Sequence, residues 1–226
     1  MKTLHYFFVL MCTLFILMSC NKDNAQDSNE LICCCDAPKL ATIYLVPMDG
    51  MKDEEVQKLQ ETLEEKLISL QKEKMAVPDW PYEYQIKVLN HEKSPDTCLN
   101  NIKSRYRATK LIGFLKEKHA EKLDVGSYII GITNKDLSTS IHDKDDYGIL
   151  GLSYKPGNTS IISTFRLKNK KDLWKLALHE YCHGFFSMGH CPNKDRKCIM
   201  KDAEGGNPHF ELKEILCKTC LAEFSK

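Results

Sequence analysis

One stretch, His179-Glu180-Tyr181-Cys182-His183, constrains this chain more than any other. On an α-helix, residues four apart are stacked one turn above another, about 6 Å along the axis. Two imidazoles so placed can converge on one zinc ion at about 2 Å each. Glu180 lies roughly 100° around the helix from His179, near enough to hold a water beside the metal without becoming a ligand itself. Trp174, Ala177, Tyr181, Phe185 and Met188 form an apolar stripe opposite the histidine face. The helix is therefore expected to pack on a sheet while His179 and His183 face a cleft.

His190 supplies a third imidazole. On an unbroken helix it would lie about 10.5 Å beyond His183, out of reach of the same ion. The chain must turn back, and Gly189 is suited to ending the helix in a left-handed cap. Three protein ligands leave a fourth position for water, the arrangement of a catalytic zinc. Asp202 or Glu204 is a substitute oxygen ligand should His190 fall short.

Cysteines follow at once. Cys191, Cys198 and the pair in Cys217-Lys218-Thr219-Cys220 have spacing suited to a tetrahedral zinc held by four thiolates. A filled shell of thiolates offers no place to a substrate, so this second zinc would be structural. Two disulfides are the alternative. Cys182 lies to the side of the histidine face and is expected to be a packed thiol. Cys33, Cys34, Cys35, Cys98 and Cys182 form an odd-numbered remainder that cannot all pair within one chain, and the triple cysteine has no assigned role.

The start of the chain speaks of targeting. Lys2 precedes an apolar run from Tyr6 to Met18, broken only by Thr13 and short for a bilayer span. It ends in Leu17-Met18-Ser19-Cys20, which resembles the lipobox of bacterial lipoprotein signals. That resemblance implies cleavage of residues 1–19, lipid on Cys20 and an envelope location on a membrane, the outer membrane foremost; an uncleaved signal-anchor helix is the other reading. Residues 20–39 are then expected to be the lipidated N-terminus and tether, polar from Asn21 to Glu30, and 40–226 a single domain whose last part, 191–226, is the four-cysteine region. The whole chain carries 32 basic and 31 acidic residues, and loss of Lys2 brings the balance to zero. Nucleic-acid binding calls for a basic stripe, and none is present.

Between these ends the pattern alternates. Ala41 to Val46 predicts a strand, Lys52 to Lys74 an amphipathic helix through Val56, Leu59, Leu63, Leu67 and Leu70, and Tyr82 to Val88 a half-buried strand. Ala108, Leu111, Ile112 and Leu115 mark a second helix; Tyr128–Ile132, Ile149–Leu152 and Ile161–Phe165 are three further strands. The acidic stretch from Asp143 to Asp146 is expected to be an exposed loop, and His119 and His142 to be surface histidines. The order implies an α/β chain of mixed α+β character, a mixed sheet with helices packed on it.

Taken together, the motifs resemble the archaemetzincins, a family of the metzincin clan of zinc peptidases. The matching residues are His179, Glu180, His183, His190, Cys191, Cys198, Met200, Cys217 and Cys220, with weaker likeness around Thr133, Asp136-Leu137-Ser138, Gly151-Leu152, Ser163-Thr164 and Arg166-Leu167. The likeness runs from about Ala41 to the C-terminus, and only the last third is diagnostic. It implies a twisted, mixed five-stranded sheet with a C-terminal four-cysteine zinc subdomain, two zinc ions, peptide or protein substrates, and Met200 as the Met-turn residue beneath the catalytic metal. Three departures stand out: Phe186 occupies the family's glycine position, His190 comes one residue late, and the gap from Cys191 to Cys198 is two residues longer. The expected reaction is peptide hydrolysis by zinc-activated water, with Glu180 as general base and then acid. A zinc-binding lipoprotein scaffold without catalysis is the competing reading, and a disulfide-stapled envelope protein without zinc a third.

Overall fold

Strand β1 (Lys39–Pro47) opens the fold, followed by α1 (Asp53–Lys74), β2 (Tyr82–Val88), β3 (Leu99–Asn100), β4 (Arg105–Arg107) and α2 (Ala108–Lys118). Then come β5 (Ser127–Thr133), β6 (Leu137–Ile141), β7 (Lys144–Ile149), β8 (Gly151–Ser153), β9 (Thr159–Ser163), α3 (Leu173–Phe185) and α4 (Lys218–Glu223). The structure is a computed structural model and describes residues 39–74, 82–100, 104–141, 143–194, 196–203 and 210–223. The expected signal, Cys20, the triple cysteine, His142 and Glu204 lie outside the described residues. None of the described helices is long and apolar enough to cross a membrane.

Five strands form the main sheet in the order β2-β1-β5-β9-β8. The first four are mutually parallel; β8 runs antiparallel to β9 at the edge. A parallel sheet needs cover on both faces, and the alternation along its strands supplies it. Ile43 and Leu45 of β1, Tyr128, Ile130 and Ile132 of β5 and Ile162 of β9 face α1 and α3, where Val56, Leu59, Leu63, Leu67, Leu176, Ala177 and Tyr181 meet them. Val46, Ile129 and Ile161 face the other way, onto Leu111, Ile112 and Leu115 of α2. Gly131 lets α2 come this close: a Cβ there would lie 2.3 Å from a Leu115 methyl carbon. Each of these fully buried aliphatic side chains contributes about 1.5–3 kcal/mol over exposure.

The five-stranded mixed sheet and its packed helices are as expected, but the sequence reading missed a second sheet, β3-β4-β6-β7. The acidic stretch predicted to be a loop lies largely in β7, paired antiparallel with β6. Asp143 and Asp145 are exposed, whereas Asp146 turns inward, its side chain 6% exposed and 3.2 Å from the Arg105 guanidinium. Arg105 also pairs with Asp136, which accepts from Arg166 as well, so a carboxylate-guanidinium chain replaces the apolar signal that a sequence pattern could register. The apolar run Ile149–Leu152 is not one strand. Ile149 ends β7 in the small sheet, Leu150 makes the crossing, and Gly151 begins β8 in the large one. His119 is buried rather than superficial, closing α2 with Nε2 3.7 Å from a Glu92 carboxylate oxygen.

Candidate metal centre and active site

Helix α3 is buried nearly all round, residues Leu173 through Cys182 being buried apart from Trp174, with Lys175, His179 and Glu180 among them. Its anchor is Tyr181, packed against Tyr128, Phe185 and Phe186 at ring-centroid distances of 5.0, 4.9 and 5.5 Å. Phe186, which stands where the family has glycine, therefore joins the aromatic cluster that fixes the helix end. The Tyr128 hydroxyl lies 2.7 Å from Ser153 Oγ and donates to the Glu180 carbonyl at 3.0 Å. Gly184 leaves room for that hydroxyl, which a Cβ would approach to 2.3 Å.

Beyond the helix the chain does turn back, though not at the residue expected. Phe186 closes α3 with φ −98°, and Ser187 takes the left-handed conformation at φ 54°; Gly189 has no positive φ. The Met188 N–H reaches back to the Cys182 carbonyl at 3.1 Å. The extra residue before His190 is thus absorbed in the loop. His190 comes to stack on the His179 ring, centroids 5.5 Å apart, and meets the His183 ring edge-on at 4.7 Å. One ligating nitrogen from each imidazole falls within 4.8 Å of the others.

Nε2 of His179 and Nε2 of His183 stand 3.0 Å apart. Each Nδ1 faces a backbone carbonyl, Ile199 O at 2.8 Å and Met188 O at 2.7 Å, and must donate its hydrogen there. Both Nε2 lone pairs are then turned toward one point. Tetrahedral zinc with nitrogen ligands at about 2.05 Å needs those nitrogens about 3.3 Å apart, so the donor set fits. Burial lowers His179 and His183 below the usual histidine range, His183 to about 4, and partial desolvation at the cavity mouth lowers His190 as well, which favours the neutral form that binds metals. Asp202, considered as a substitute ligand, instead flanks His190, with Oδ2 3.6 Å from Nδ1.

Glu180 is 5% exposed, and burial raises its carboxyl to about 8 in the metal-free chain. Gly151 of β8 makes room for it: a Cβ there would meet the carboxylate at 2.7 Å. His179, Glu180, His183 and His190 open into a cavity of about 700 Å³. Its walls come from both sheets and mix apolar side chains, Ile141, Tyr147 and Leu152 among them, with the charged Asp143, Lys144 and Lys155.

The four cysteines form a second group. Cys191, Cys198, Cys217 and Cys220 are free thiols whose sulfurs lie within 4.8 Å of one another. Cys191 and Cys217 are 3.6 Å apart, against about 3.8 Å for two thiolates on a tetrahedral zinc at 2.3 Å. The pair Cys217 and Cys220 sits at the start of α4, and Cys191 N–H donates to the carbonyl of Met200, which is fully buried. Cys182 is the packed thiol it was expected to be, its pKa raised by burial.

One residue at the site escaped the sequence reading. Lys213 is 3% exposed and its ammonium is directed at the carbonyls of Cys198, Ile199 and Lys201. Burial brings its pKa down to about 8. No periodicity or metal spacing marks such a lysine, because its partners are backbone atoms.

Fold and donor geometry together define a mixed α/β protein with an HExxH-type metal-binding helix and an adjoining four-cysteine group. An archaemetzincin of Haloquadratum walsbyi is 30% identical over 154 residues, covering 62% of this chain and 82% of that protein. One from Nanoarchaeum equitans is 29% identical over 129 residues, covering 57% and 68%. The chain belongs to the archaemetzincin family. Among solved structures, archaemetzincin from Methanopyrus kandleri matches with a TM-score of 0.61 at 20% identity, over 86% of this chain and 97% of that one. Archaemetzincin from Archaeoglobus fulgidus, crystallised with malonate, gives 0.57 at 19% identity over 80% and 99%. No family model matches the sequence.

Proposed function

We propose that this chain is a zinc-dependent metallopeptidase that hydrolyses peptide bonds, with His179, His183 and His190 holding the catalytic ion and Glu180 acting as general base. The observation that carries the reading is the convergence of three neutral imidazoles, two from α3 and one from beyond its end, on the wall of a cavity that also presents a buried carboxylate. Bound there, zinc supplies Lewis acidity, which acidifies water and polarises a scissile carbonyl.

The chain's own residues divide the remaining work. Glu180, when ionised, takes a proton from the attacking water and later delivers it to the leaving amine; burial makes it a stronger base than an ordinary glutamate. The carbonyls of Ile199 and Met188 hold the two helical imidazoles in the tautomer that leaves Nε2 free. Strand β8 is the edge of its sheet, and Gly151, Leu152 and Ser153 line the cavity. Among the described residues no further strand pairs with its outer edge, which suits an extended peptide laid alongside.

The cysteine group is assigned a structural zinc, and Met200 the place of the Met-turn. Membrane attachment through lipid on Cys20 rests on the lipobox-like Leu17-Met18-Ser19-Cys20 alone. Cys20→Ser should shift the chain from the membrane to the soluble fraction; retention at the membrane would remove the anchor.

Digestion of a mixed peptide library tests the central claim. The zinc-loaded chain should cleave it, and Glu180→Gln should cut hydrolysis by about 10²–10⁴-fold while both metals stay bound. Undiminished cleavage by that variant would strip Glu180 of its role.

A further inference from the structure

The buried ammonium of Lys213 sits between the two donor groups and is accounted for by neither. The 3₁₀ turn Phe210–Leu212 delivers it, its own N–H donating to the Phe210 carbonyl at 3.1 Å. Strand-like pairing of Ile199 N–H with the Ile215 carbonyl at 2.8 Å, and of Glu214 N–H with the Lys197 carbonyl at 2.9 Å, draws segment 213–215 along segment 197–199. The side chain then curls onto the turn that follows. Its Nζ lies 3.4 Å from Cys198 O and 3.0 Å from Ile199 O, and it also donates to Lys201 O. An ammonium has three hydrogens, and three carbonyls receive them.

Those carbonyls are not interchangeable. Cys198 is a member of the thiol group, and Ile199 O already accepts the Nδ1 hydrogen of His179. One carbonyl oxygen thus serves both the ammonium and the imidazole, using both lone pairs. A buried charge costs stability unless it is hydrogen-bonded, so a lysine placed here has to bind the turn in one geometry. Groups behind a metal ligand fix its ring orientation and tautomer, and metal affinity follows from both.

We propose that Lys213 is a positioning residue for the histidine centre: it gathers the turn from Cys198 to Lys201 around one ammonium and so holds Ile199 O where that carbonyl orients His179. The proposal rests on the reading of the three histidines as a metal site. It separates Lys213 from a merely stabilising lysine, because the effect should fall more heavily on the histidine site, whose His179 shares the Ile199 carbonyl with the ammonium, than on the thiol site.

Cobalt binding to the full chain reads the two sites apart, thiolate-bound cobalt by its charge-transfer bands and nitrogen-bound cobalt by its weaker visible bands. Competition with a chelator gives an affinity for each. Lys213→Met, an unbranched side chain one atom shorter that has no donors, should weaken the histidine site about 10–100-fold and leave the thiolate bands and the far-ultraviolet dichroism unchanged. Lys213→Gln retains two donors without the charge and should show a smaller loss at the same site; it carries the test if the methionine variant does not fold. Equal affinity in both variants, or parallel loss at both sites, overturns the proposal. An unaltered chain with no nitrogen-bound cobalt overturns it together with the histidine reading. Normal loading of the unaltered chain beside unweakened variants removes Lys213's role alone.

Discussion

The histidine group and the cysteine group lie next to each other in the chain and are built to opposite plans. The three histidines grade outward, from buried His179 through half-buried His183 to exposed His190, and they line a cavity. Of the cysteines, three are buried, Cys217 is half-buried, and none lines that cavity. Three donors facing an opening leave a coordination position accessible; four donors in a closed knot leave none. The scaffolding differs as well. Two of the histidines come from one helix, whereas the sulfurs come from a loop, a turn and the start of α4, so the thiol group ties together segments with little regular structure.

This contrast is sharpest when metal is taken from one group at a time. His183→Gln should remove the ion from the histidine site and lower peptide hydrolysis on the order of 10³-fold or more, with little change in melting temperature. Activity surviving in a variant shown to lack that ion would place the chemistry elsewhere. Cys220→Ser should do the reverse to the fold. Without the fourth thiolate the C-terminal segments lose their tie, and the melting temperature should drop by on the order of 10 °C in calorimetry. If instead the cysteine variant melts like the parent, the thiol group is not holding the fold.

What the sequence made legible divides along similar lines. The helical spacing of Val56, Leu59, Leu63, Leu67 and Leu70 and the alternation around β2 reported α1 and β2 because apolar burial leaves a period. The histidines and cysteines were legible because metal spacing is a local constraint. The small sheet was not, since its strands are short and stitched by Arg105, Asp136, Asp146 and Arg166, residues that read as surface charge until their pairing is seen. His119 looked superficial for the same reason. Lys213 works through backbone carbonyls, which have no letters in a sequence.

A smaller effect separates the thiols of the metal-free chain. Burial pushes the Cys217 thiol up, but N–H donation from the Cys220 backbone and the Asn193 side chain, aided by the thiols of Cys191 and Cys198, outweighs it and brings the group to about 7. Cys98, away from the cluster, is raised by burial. A lowered thiol pKa means that thiolate, the reactive form, accumulates as pH rises through about 7. Alkylation mapped by mass spectrometry on metal-free chain should therefore label Cys217 at neutral pH, its rate climbing through about pH 7, and Cys98 only on unfolding. Simultaneous labelling of Cys98 and Cys217 under native conditions would erase the distinction.

The least of the expected effects bears on how His190 reaches its partners. Ser187 holds φ 54°, a conformation that costs a residue with a Cβ about 1–2 kcal/mol and costs glycine almost nothing. Part of that gain is returned because glycine frees the unfolded chain, so Ser187→Gly should stabilise the protein by about 0.5–1 kcal/mol. Gly189 has no positive φ, and a Cβ added there meets only the Lys155 ammonium, at 3.6 Å. Gly189→Ala should thus be tolerated within about 0.5 kcal/mol and leave metal affinity unchanged. Denaturant titration of the two variants decides between them. A costly Gly189→Ala beside a neutral or harmful Ser187→Gly would return the turn to the glycine that the sequence favoured, and with it the route by which the third imidazole closes on the other two.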